Sequence, residues 1–224
     1  MAFQYSIRVS RYIQNLISQG EHQQLDFKFE ISDARKIART LVAFSNTDGG
    51  KLLIGVKDNG NITGIQSEEE YYMLEAAAQM YCRPEVKFSV KKWTISGKTI
   101  LEIDIPKAPK RPFFAQGDDG KWIAYIRRQD QNLLANKILL KVWEKENRKK
   151  GSILRYTEKE EVLLHYLEQH EQITFSGFCR IARISHKMAE EILSTLICFR
   201  IIEIEITEKS THYRLNRQEI DEQG

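Results

Sequence analysis

Long apolar runs are missing from this chain of 224 residues, and no stretch approaches the roughly 20 apolar residues that a membrane-crossing helix needs. The first thirty residues carry polar and charged groups throughout, with no apolar core and no small-residue cleavage site, so they do not read as a signal peptide and a cytoplasmic protein is expected. Cysteine is scarce. Cys82, Cys179 and Cys198 are odd in number, far apart and without C-x-x-C spacing or neighbouring histidines, which speaks against a disulfide framework or a zinc site and for buried, reduced thiols. His165, His170 and His212 are likewise not spaced as metal ligands. No internal repeat or low-complexity tract is present.

Nucleotide-binding signatures are absent too. In "SNTDGGKLLIGVKDNGNITG", residues 45–64, the glycines run from a helix into a strand, the reverse of the strand-to-helix order that a dinucleotide-binding G-x-G-x-x-G requires. "GKT" occurs at Gly97–Thr99, but Lys92 stands where a P-loop has its first glycine, and the setting is a hairpin tip. The glycines read instead as a helix stop, a close backbone approach and a turn.

What is there is positive charge, unevenly spread. The net charge of +3 resolves into 26 Lys and Arg against 18 Asp and Glu up to residue 156, 8 against 10 over 157–217, and three further acids in the last seven residues. Electrostatic attraction for nucleic acid therefore belongs to the amino-terminal part.

Periodicity predicts a helix over 5–18 stopped by Gly20, then a strand in "QQLDFKFE", with Leu25, Phe27 and Phe29 on one side and Asp26 and Lys28 on the other. Ser32 is the expected N-cap of a helix with Ile37, Leu41, Val42 and Phe44 inward and Arg35, Lys36 and Arg39 outward. "KLLIGV" and "ITGI" are expected as strands around an Asn59-Gly60 turn. A helix over 67–82 follows, then a hairpin about Ser96-Gly97, a basic connection "KAPKRPFF", a strand "KWIAYIRR", a helix from Asn132 that fades into charge, and a linker at "RKKGS". Beyond it, three short helices and a hairpin give the order of a winged helix-turn-helix.

Three motifs in order, "EHQQLDFK", "VAFSNTDGGKLLIGVKDNGNITGI" and "AYIRRQDQNLLAN", over about residues 15–145, resemble the Schlafen AlbA_2 family. The resemblance implies a mixed α/β AlbA_2-type (Schlafen-like) nucleic-acid-binding domain over 1–150; with the small winged helix-turn-helix domain read over 151–224, an α+β protein is expected. In animal Schlafens two such lobes form a groove for tRNA-like RNA, and a carboxylate trio supports a metal-dependent ribonuclease. The trio maps onto Glu21, Asp26 and Asp58, with Lys28 beside it. Asp26 departs from the family's glutamate, and Arg128-Gln129 from its glycine-containing turn. A single lobe in this chain implies a homodimer.

Three carboxylates would suit Mg²⁺ or Mn²⁺, hard cations that take oxygen ligands and offset charge on a reacting phosphate. Each acid also has a plainer reading: Asp58 as a turn former, Asp26 with Lys28 as an exposed strand pair, Glu21 as a solvated acid. Binding nucleic acid, whether DNA or structured RNA, requires no cofactor. The expected phosphate contacts are Arg35, Lys36, Arg39, Lys107, Lys110, Arg111, Arg127 and Arg128, with Trp122 and Tyr125 able to stack on bases. In the winged helix, Lys187 and Lys209 are the basic candidates beside His212 and Arg214, but Glu190 and Glu191 on the recognition helix and Glu203, Glu205 and Glu208 on the wing leave DNA reading and dimer contact both open. The leading expectation is a nucleic-acid-binding bacterial transcriptional regulator; the alternative is a divalent-metal endoribonuclease. An ATP-dependent activity, suggested by the divergent AAA label given to some such sequences, lacks its P-loop.

Overall fold

The computed structural model describes residues 11–148 and 154–217. Contacts divide the chain into two compact units, Met1–Pro109 with Phe113–Leu134, and Lys110–Pro112 with Ala135–Gly224. The expected start of the first helix at 5–10 and all of the expected linker except Arg148 lie outside the described residues.

The first unit is built on a mixed sheet. Helix α1 is described over 11–18, and β1 (Leu25–Lys28), α2 (Ala34–Asn46), β2 (Gly50–Ile54), α3 (Glu69–Met80), β3 (Cys82–Arg83), β4 (Ser89–Ile95) and β5 (Lys98–Ile105) follow. The strand order is β1-β2-β5-β4, with β1 and β2 parallel and the other pairs antiparallel. Alternation sends Leu25, Phe27, Leu53 and Ile100 to a cluster with Ile13 of α1, and sends Leu52, Ile54, Leu101 and Ile103 to a larger core with Leu41 and Phe44 of α2 and Leu74 of α3. Burying a side chain such as Phe27 or Phe44 contributes about 2–3 kcal/mol. The chain continues through β6 (Phe114–Gln116), β7 (Trp122–Ile123), β8 (Tyr125–Arg128) and β9 (Gln131–Leu134), which form a three-stranded sheet β3-β6-β7 and a separate hairpin β8-β9.

Several local expectations need correcting. Asp33 rather than Ser32 caps α2, accepting the Arg35 N–H at 2.9 Å. "ITGI" is not a strand: Gly55 has φ +91°, and both Thr63 N–H and Gly64 N–H turn back to its carbonyl at 2.9 Å, leaving only a bridge between Val56 and Ile62. A Cβ on Gly55 would stand 2.7 Å from the Gly64 carbonyl carbon, so the glycine is there for backbone contact. "KWIAYIRR" splits at Ala124 into strands of two sheets, and the helix expected from Asn132 begins only after Asn136, because Gln131–Leu134 pair with β8.

The second unit holds α4 (Lys137–Glu146), α5 (Glu158–Gln169), β10 (Ile173–Thr174), α6 (Phe175–Ala182), α7 (His186–Cys198), β11 (Ile202–Ile206) and β12 (Thr211–Leu215). Thr157, Thr174 and Ser185 cap α5, α6 and α7, Thr157 in a full capping box with Glu160. The sheet order is β10-β12-β11, and from α5 onward the elements run helix, strand, helix, helix and hairpin. The unit boundary differs from the expected 150/151. Ile138 joins the core of this unit with Leu163, Phe178 and Leu193, and α4 packs on α7, so α4 belongs here.

Candidate nucleic-acid interface and carboxylate cluster

Strand β1 brings Asp26 and Lys28 to one face, as alternation requires, but that face is not solvent. Asp26 is 2% exposed. Its Oδ1 accepts from Arg127 Nη2 at 2.9 Å, and its Oδ2 lies 2.7 Å from Lys28 Nζ, an ion-pair contact without hydrogen-bond alignment. Arg127, itself 2% exposed, also donates to Asn132 Oδ1 at 3.1 Å, and Asn132 donates to Thr40 of α2 at 3.0 Å. The Arg127 guanidinium lies over the Phe44 ring, 5.1 Å from its centroid. Two charges taken out of water at this cost are tolerated because each has several partners. Arg127 is thus a structural arginine, not a phosphate contact, and Tyr125 is a core residue 9% exposed.

Glu21 reaches the same cluster. Its Oε1 accepts the Phe27 N–H at 2.8 Å and stands 3.9 Å from Lys28 Nζ. Burial pushes the Glu21 carboxyl above its ordinary range, helped by the neighbouring Asp26 carboxylate and opposed by the Phe27 N–H and Lys28. Asp58 does not join them. It is exposed in the turn at 57–60, and among the described residues no three His, Cys, Asp or Glu side chains gather where they could hold a metal ion. Two carboxylates already engaged by a lysine and an arginine do not fit a divalent cation without rearrangement.

A second buried carboxylate lies elsewhere on the sheet. Glu102, 1% exposed, accepts from Tyr12 Oη at 2.7 Å, Lys51 Nζ at 2.9 Å and Trp93 Nε1 at 2.7 Å. Burial alone would push it up, but these bonds outweigh burial and hold it below the usual range.

The remaining basic candidates divide clearly. Lys36 is exposed on α2; Arg35 places its guanidinium 5.2 Å from the Tyr81 ring centroid, and Arg39 pairs with Asp118 at 3.1 Å. Lys107 meets Asp48 at 3.4 Å; Lys110 is exposed; Arg111 pairs with Glu146 at 2.8 Å and lies over Trp143. Arg128 is exposed. Trp122, half-buried, carries the Arg83 guanidinium 4.3 Å from its ring centroid. Arg83 was missed in the sequence because a two-residue strand leaves no alternation to read, and Tyr81 because it falls at the C-cap of α3, between a helical and a strand period.

Lys187 and Lys209 are exposed, at the start of α7 and in the β11-β12 turn. The rest of α7 is enclosed. From Ala189 to Leu196 only Glu191 is exposed and Thr195 half-buried, while Ser194 is fully buried. Helix α4 accounts for this: Lys137 and Lys141 grip Glu190 at 2.7 and 2.8 Å, and Lys145 bonds Glu191 at 2.6 Å and Thr195 Oγ1 at 2.6 Å. The acids that crowd the recognition helix in sequence are therefore ties to α4. On β12, Arg214 is held by Glu203 at 2.5 Å and Glu205 at 3.6 Å.

The Schlafen AlbA_2 family profile matches residues 21–136, more than half of the chain, and the chain belongs to that family. The match spans β1 with Glu21, Asp26 and Lys28, the glycine segment, and the β8-β9 hairpin. Among solved structures, the chain is similar to the DIP2311 protein from Corynebacterium diphtheriae, at 18% identity and a TM-score of 0.44, over 68% of this chain and 30% of that one. It is also similar to the N-terminal domain of a RecG-related protein from Nitrosomonas europaea, described as an ATP-dependent DNA helicase relative, at 21% identity and a TM-score of 0.40, over 56% of this chain and 95% of that domain. The chain thus spans under a third of the DIP2311 protein. No helix among the described residues is long and apolar enough to cross a membrane.

Proposed function

We propose that this chain is a nucleic-acid-binding protein working as a bacterial transcriptional regulator, with the Schlafen AlbA_2 unit as its main contact surface. The observation that carries this reading is the basic side of α2, where Arg35, Lys36 and Arg39 follow one another, a local cluster on a unit whose charges otherwise nearly balance once α4 and its lysines are counted with the second unit. Forked guanidinium donors match phosphate oxygens, and neutralised phosphates release counterions. Lys110 and Arg128, both exposed, add to the candidate contacts, as do Lys187 and Lys209 at the ends of the second unit's motif. Because α7 is enclosed along most of its length, the second unit is better suited to partner or dimer contact than to major-groove reading. Fluorescence anisotropy with duplex DNA, single-stranded DNA and tRNA at two salt concentrations is expected to give salt-sensitive binding. Failure to bind any of the three would overturn the proposal. A homodimer goes with this reading, and a monomer mass by light scattering would contradict it.

The second reading, an endoribonuclease, is favoured by the approach of Glu21 to Asp26 and Lys28 at one end of β1. A carboxyl whose pKa is raised, beside a lysine, can hold and deliver a proton. Mg²⁺ or Mn²⁺ would require Asp58 to come in from its exposed turn. Incubating tRNA with protein and Mn²⁺, with Asp26→Ala alongside, tests it: absence of cleavage, or cleavage that survives the substitution, removes this assignment.

A further inference from the structure

We infer that the outer face of the β3-β6-β7 sheet is a stacking platform for a single-stranded nucleic acid, with Trp122 and Tyr81 as its rings and Arg83 and Arg35 as their cationic partners. This rests on the nucleic-acid reading above and specifies the site and the strandedness of the ligand. The register sets the face. Cys82 lies opposite Ala115 and Ala115 opposite Ile123; Arg83 lies opposite Phe114 and Gln116 opposite Trp122. Directly opposed residues share a face and successive ones alternate. Cys82, 3% exposed, and Ala115, fully buried, point into the core with Ile123 packed beside them, so Arg83, Phe114, Gln116 and Trp122 point outward.

Tyr81, the C-cap of α3, stands beside this row: its carbonyl accepts the Gln116 N–H at 2.9 Å, and its half-buried ring packs on the core from one side. From α2, Arg35 lies over the Tyr81 ring, and Arg39, one turn further on, reaches Asp118 of the β6-β7 connection. The outcome is two half-buried rings, each with a guanidinium on it, on a face whose cations outnumber the single acid paired to them. An unpaired base can stack on such a ring or guanidinium plane while the same arginine turns a donor to the adjoining phosphate. In a duplex the base faces are occupied by their neighbours and offer the rings nothing. Strands of two or three residues span only about 10 Å, room for roughly two or three bases.

The test is anisotropy titration of the full chain with a short oligothymidine, the equivalent oligouridine, the duplex of the same length, and an oligomer of abasic sites. Trp122→Ala is expected to weaken binding of the two single strands by about tenfold without changing the salt dependence, because no charge is lost. Trp122→Phe should retain most of the affinity, and Arg83→Ala should weaken binding and lower the salt slope by about one. The oligothymidine and oligouridine arms tell DNA from RNA. The platform is overturned if Trp122→Ala binds like the parent, if the abasic strand binds as well as the intact one, or if the duplex binds more tightly and shows the same Trp122 dependence. Absence of binding by the parent chain to every one of these probes overturns the platform, and absence of binding to tRNA as well overturns the wider reading, so the two failures are distinguishable.

Discussion

At the scale of single residues, the carboxyl of Glu21 makes the clearest statement. Burial and Asp26 raise its pKa, so the folded chain holds that proton more readily than the unfolded one. Its contribution to stability is complete below the ordinary value of 4.5 and is lost as pH rises through the raised one. Glu21→Gln keeps an acceptor for the Phe27 N–H and removes the titration. Its stability relative to the parent should therefore increase from about pH 4 towards neutrality, as read from urea midpoints across that range; a pH-independent difference would contradict this. Alternation placed Asp26 and Lys28 on one side and the family resemblance added Glu21, but neither could show that their face is covered. Polar alternation in "DFK" says which side chains share a side, not what packs on it. The turn after "AYIR", where the resemblance implies a glycine, offers a similar lesson: Gln129 adopts φ +55° there, and its N–H donates to Gln23 Oε1 at 2.8 Å, so a residue other than glycine holds the left-handed conformation.

Among elements, the β8-β9 hairpin shows where local reading ends. Four residues of "NLLA" carry helix-forming leucines, yet Leu133 pairs across to Ile126 and Asn132 to Arg127, a non-local pattern that propensity does not encode. The long strands and helices of the first unit, with their clear periods, were legible; the two-residue strands and the cover over Asp26 were not. The hairpin's tie to β1 gives a measurable consequence. Arg127→Met leaves the Asp26 carboxylate buried with only Lys28 against it and should cost about 3–5 kcal/mol, while replacing both partners with apolar residues of similar size should recover much of that loss. Equal destabilisation in single and double variants, by urea denaturation, would disprove the coupling. The same reasoning applies to α7, whose Glu190 and Glu191 look like a poor recognition surface in sequence and turn out to be anchors for lysines on α4.

For the molecule as a whole, the place of α4 decides how the chain can be divided. A fragment ending at 150 keeps Ile138, Val142 and Trp143, only 4%, 3% and 2% exposed in the whole chain, but loses the α7 side chains that cover this helix. Such a fragment should self-associate, whereas one ending at 134 should stay dispersed, and size-exclusion chromatography distinguishes them. A well-behaved fragment to 150 would place α4 with the first unit after all. The four-stranded sheet poses a related question, because it ends on β1, and an end strand presents unpaired backbone groups to any passing chain. Glu21 bonds the Phe27 N–H on that strand, and Gln23 ties the segment before it to the β8-β9 hairpin through Arg127 O and Gln129 N–H. Side chains stand in for the missing neighbour strand, so the residue that most resembles a catalytic acid also works as a guard against strand addition.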